Sequence, residues 1–94
     1  MRQIADFLTA RPGPLLGTMA KHFGHKIPVE EGEDGTVIRF SAGTVTARIG
    51  EGALHLAIEA ENDADFDTVR DVLIRHLLRF AHREEPVAPL WRAE

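Results

Sequence analysis

Residues 36–60 read TVIRF SAG TVTARI GEG ALHLAIEA, and this stretch decides the fold. Three runs of β-branched and aliphatic residues alternate with polar ones at a period of two. The gaps between them, Ser41-Ala42-Gly43 and Gly50-Glu51-Gly52, are short and glycine-bearing, which is the pattern of strands joined by tight turns. Upstream, Ile27 and Val29 alternate with polar neighbours before the turn-forming run Glu31-Gly32-Glu33-Asp34-Gly35, so a fourth strand precedes the three. Four short strands in succession predict an antiparallel meander.

The period of two also sorts the faces. Ile27, Val29, Ile38, Phe40, Val45, Ala47, Ile49, Leu54, Leu56 and Ile58 point to one side, and Val37, Arg39, Thr44, Thr46, Arg48, His55 and Glu59 to the other. One side is core and the other is wet. Two helices supply the cover. The first is expected over 14–23, opening at Pro14, where a missing N–H costs nothing, and closing at a left-handed Gly24. Leu15, Leu16, Met19, His22 and Phe23 recur along it at helical spacing. The second follows a cap at Asn62 or Asp63. Acids crowd its first turn, Arg79, His82 and Arg83 lie at its end, and Phe66, Val69, Val72, Leu73, His76, Leu77 and Phe80 form its apolar stripe. Residues 3–10 are expected to be an edge strand, with a loose first turn as the alternative, and residues 85–94, with two prolines, a loosely ordered tail from which Trp91 packs back on the body. The resulting order β-α-β-β-β-β-α is an α+β domain with both helices on one face of an antiparallel sheet, as in TBP-like domains.

Ninety-four residues form one ordinary domain, 1–94, with a single core. A formal charge of -4 repels a phosphate backbone, so nucleic acid is not an expected partner. The absence of cysteine removes disulfides, thiolate metal sites and cysteine nucleophiles, and fits a reducing cytoplasm. No stretch approaches the ~18 apolar residues of a membrane span, so no membrane insertion is expected.

The run Arg11-Pro12, Leu16, Lys21-His22-Phe23 and His25-Lys26, the Gly43-Thr44 turn, Leu54, Leu56, Glu59 and Ala60, and the helix end His76-Leu77, Arg79-Phe80-Ala81 and Arg83-Glu84 resemble the bacterial domain of unknown function 2218. The resemblance covers nearly the whole chain. It implies a small cytoplasmic bacterial protein of a kind sometimes found beside or joined to siderophore-interacting flavin reductases. Leu15, Ala20, Val45 and Leu78 stand where that pattern more often carries a tyrosine, two cysteines and an acid.

No catalytic elbow, phosphate-binding loop, dinucleotide fingerprint or His-Glu-x-x-His motif occurs. Two readings of function remain. In the first, the chain is a non-catalytic binding or accessory domain without a cofactor. Its contact face is the open side of the sheet, with Arg39 and Arg48 as cations on neighbouring strands beside His55 and Glu59. Its partner is a siderophore-interacting reductase or a second copy. In the second, His22 and His76, both on apolar stripes, approach each other, and the chain is a small metal-binding protein or an enzyme centred on them. Against that stands the expectation that both are largely buried, structural histidines, each bonded through one ring nitrogen.

Overall fold

The meander forms as the alternation requires. In the computed structural model, which describes residues 1–94, it comprises β2 (Val29–Gly32), β3 (Gly35–Phe40), β4 (Gly43–Gly50) and β5 (Ala53–Glu59). Before it come β1 (Arg2–Leu8) and α1 (Pro12–Gly24), and after it α2 (Asp63–Phe80), a 3-10 turn (His82–Glu84) and β6 (Arg92–Ala93). The strands make one six-stranded sheet in the order β2-β3-β4-β5-β1-β6, every neighbour antiparallel. β1 is therefore not an edge. It pairs with β5 along its length, from Arg2 opposite Glu59 to Leu8 opposite Ala53, and its outer side is covered by β6 through Gln3–Ala93 and Ile4–Arg92. The tail thus adds a sixth strand that the element order expected from the sequence lacks. A two-residue edge strand is compatible with Pro86 and Pro89 because both prolines precede it.

Both helices lie on one face. Phe7, Met19, Ile38, Leu54, Leu56, Ile58, Leu73 and Leu77 are essentially inaccessible to solvent and belong to one cluster drawn from α1, α2 and the strands. Leu15, Ala20 and Val45 are buried as well and Leu78 packs half-buried against the core, so the positions that depart from the family pattern are apolar positions in or against the core. Gly43 opens β4 where the chain passes close to its neighbour. A Cβ there would lie 2.5 Å from the Glu59 carbonyl oxygen and 3.3 Å from Val69 Cγ2, a separation that real Cβ atoms do not adopt.

Three details differ from the sequence pattern. α1 opens at Pro12 rather than Pro14, with Leu15 N–H bonded to the Arg11 carbonyl at 3.1 Å. Gly24 does not take a left-handed conformation. The helix instead ends as Lys26 and Ile27 N–H groups both bond the Phe23 carbonyl, and Pro28 cannot continue it. Ile49 has the parity of the core face but is 59% exposed. It lies at the far end of β4, beside the glycines Gly13 and Gly17 of α1, which have no side chain to cover it.

α2 follows its sequence cues closely. Asn62 is the cap, its side-chain oxygen accepting the Asp65 N–H at 2.8 Å, with Asp63 and Asp65 in the first turn. Trp91 returns to the body edge-on against Phe66, ring centroids 5.6 Å apart, while Val87 and Leu90 stay exposed. No helix is long and apolar enough to cross a membrane.

Candidate functional site

The helix-free face of the sheet carries the polar residues that alternation assigns to it, and most of its charges are already matched. Arg2 bonds Glu59 and Glu94, each at 2.7 Å. Arg39 faces Glu30 across β2–β3 at 3.2 Å. Arg92 on β6 lies 3.6 Å from Asp6 on β1. Arg48 is exposed and enters no ion pair. Arg39 and Arg48 do not form one patch as the sequence pattern suggested. Arg39 pairs in register with Thr44, and Arg48 stands four residues further along β4, about 13 Å away at strand spacing.

Beside Arg48, and directly opposite it in register, is His55. Its Nδ1 lies 2.7 Å from Asp6 Oδ1, and this bond holds the Asp6 carboxyl below its ordinary range, assisted by the charges of His55 and Arg92. With Nδ1 engaged by the carboxylate, Nε2 is left as the ring's unengaged nitrogen. The ring lies against Gly50, where a Cβ would collide with Nε2. Asp6, Thr46, Arg48, His55, Ala57 and Arg92 line a shallow depression of about 330 Å³. An aspartate-oriented imidazole is half of a nucleophilic triad. The chain has no cysteine, and its one serine, Ser41, lies in the β3–β4 turn, at the end of the sheet remote from His55; the hydroxyl that lines the depression is that of Thr46. The arrangement can bind and orient; it holds no serine or thiol nucleophile.

The second cluster lies where α1 crosses α2. The rings of His22 and His76 meet with centroids 4.8 Å apart, as their places on the two stripes implied. Phe80 is 5.5 Å from His22 and Phe23 is 5.0 Å from His76, and the Arg79 guanidinium lies over Phe80 at 5.5 Å. Both histidines are half-buried rather than largely buried, because they occupy the outer edge of the helix seam and not the floor over the sheet. His76 has the backbone partner expected of a structural histidine, Nδ1 donating to the Val72 carbonyl at 2.6 Å. His22 has none, and no polar atom is buried without a partner, so the nitrogens of His22 and Nε2 of His76 reach solvent. Burial lowers the His22 pKa, and the positive fields of His76, Arg79, Lys26 and His25 lower it further. Two imidazoles with no third ligand nearby, set among cations, make a poor seat for a metal cation.

Sequence reasoning missed two contacts. Asp6 and His55 are 49 residues apart and nothing local connects them. Glu84, quoted above only as part of a helix-end pattern, clamps the β1–α1 loop. Its carboxylate accepts the Ala10 N–H at 2.7 Å and the hydroxyl of buried Thr9 at 2.8 Å, and the Ala10 bond foremost keeps its pKa low.

Sheet, helices and clamp together define a small α+β domain with one helix-free face. The chain matches DUF2218, described as an uncharacterized protein conserved in bacteria, over residues 4–92, and it belongs to that family. Among solved structures it is similar to the NMR structure of PA4090 from Pseudomonas aeruginosa, at 20% identity and a TM-score of 0.79, covering 97% of this chain and 94% of that one. At that identity the likeness is one of fold. No curated protein matches the chain.

Proposed function

We propose that this chain is a non-catalytic binding domain that meets its partner through the helix-free sheet face, at Arg48 and His55. One observation carries the reading. Arg2, Arg39 and Arg92 on this face each have a carboxylate partner, while Arg48 has none and stands beside an imidazole held in place by Asp6. A guanidinium with its donors unengaged, next to an oriented ring, suits a carboxylate offered by a protein surface. The family resemblance suggests a siderophore-interacting reductase in the cytoplasm as that surface, with a second copy of the chain as the alternative. No cofactor is required for this role.

The test is the double substitution Arg39→Glu with Arg48→Glu, studied by size-exclusion chromatography and by titration calorimetry against a reductase of that type. The fold should persist, because exposed charges contribute at most about 1 kcal/mol each, whereas association should be lost. A folded double variant that keeps the parent's oligomeric state and reductase affinity would remove this face from consideration.

A further inference from the structure

Charge is distributed unevenly along this acidic chain. Residues 9–29 and 72–83 contain no aspartate or glutamate, yet they hold Arg11, Lys21, Lys26, Arg75, Arg79 and Arg83, none of which enters an ion pair. Four of the five histidines, His22, His25, His76 and His82, lie in the same two segments. The segments meet at the His22–His76 contact. Glu84, which follows the second segment, is engaged by Thr9 and Ala10. A field of unmatched positive charge on a protein of formal charge -4 concentrates anions where its cations converge.

We propose that the α1–α2 seam at His22, Lys26, His76 and Arg79 binds a compact oxyanion of the phosphate class. Both histidines present nitrogens to solvent, so each offers an N–H donor once protonated. Phe23 and Phe80 flank the rings at 5.1 Å and 5.5 Å from His22 and reduce the local dielectric, which strengthens charge-assisted bonds to an anion. The groups acting on His22 are His76 and Arg79 from α2 and Lys26 and His25 from the end of α1; no carboxylate is among them. The phosphate's own charge reverses that field, so binding and protonation of His22 reinforce each other. Affinity therefore rises as pH falls below about 6.5 towards the depressed pKa of His22.

The experiment follows the imidazole resonances of His22 and His76 by NMR while inorganic phosphate is added, with sodium chloride at matched ionic strength as reference. Phosphate is expected to shift both rings saturably and to raise the His22 pKa. Arg79→Gln and Lys26→Gln, both at exposed positions, should each weaken binding by about tenfold, and Arg70→Gln, whose guanidinium is already paired with Asp67 and Asp71, should leave it unchanged. Phosphatidylcholine vesicles with and without phosphatidic acid distinguish the source of the group: recruitment by phosphatidic acid assigns a lipid headgroup, and its absence alongside phosphate binding assigns a soluble phosphate. Ring shifts no larger in phosphate than in chloride, or equal in the parent and Arg79→Gln, would overturn the site.

Discussion

Removal of the Phe80 ring measures how much of the domain's stability resides at the helix seam. Phe80 is half-buried, packed against the edge of the core, against His22 and beneath Arg79. A fully buried phenylalanine removes ~150–250 Å² from water, so a half-buried one removes about 100 Å². At about 25 cal/mol per Å² this gives about 2.5 kcal/mol for Phe80→Ala. The value is below the ~3–5 kcal/mol typical of a fully enclosed ring, which the stripe taken alone suggests. It is still a large share of the ~5–14 kcal/mol available to 94 residues. Urea unfolding followed by the fluorescence of Trp91, the chain's only tryptophan, supplies the measurement, with Leu77→Ala at a site of 0% exposure as reference at about 2–5 kcal/mol. The same variant opens His22 to water, so the His22 pKa should move up towards its ordinary value. A cost under about 1 kcal/mol, or an unmoved His22 pKa, would refute the account of the seam.

Acid should weaken the fold before the carboxylates titrate. The His22 pKa is depressed in the folded chain, so its neutral form supports stability above the unfolded value of about 6.5, and that support declines as pH falls from there towards the folded pKa; His22→Gln should flatten this part of a stability–pH curve. Gly43→Ala places a methyl group 2.5 Å from the Glu59 carbonyl oxygen and should cost about 1–3 kcal/mol by overpacking, visible as a lower urea midpoint, whereas Gly17→Ala, with open space around it, should not destabilise.

The parts of the fold that were legible in the sequence are those whose determinants are local. Each hairpin of the meander lies within some 15 residues, α2 announces itself by Asn62 and a graded charge, and the stripes put His22 and His76 on facing sides of two helices. What escaped is non-local. β1 finds β5 across more than 40 residues, and β6 is recruited by the free edge that β1 leaves. The same reason hides the Asp6–His55 bond and the Glu84 clamp. The depth of the histidines was misjudged because a stripe specifies the face of a helix, not whether that face meets the sheet or the seam with its neighbour.

The place of β1 between β5 and β6 also orders events in time. β1 is synthesised before β5 and has no partner until residues 53–59 exist, and its far side stays open until residues 92–93 arrive. During synthesis Ala5 and Phe7, which end wholly enclosed, wait in the open while the local hairpins assemble. β1 is thus made before its partners and is among the last elements to be locked, and the closing step brings β6 against it at one side of the finished sheet.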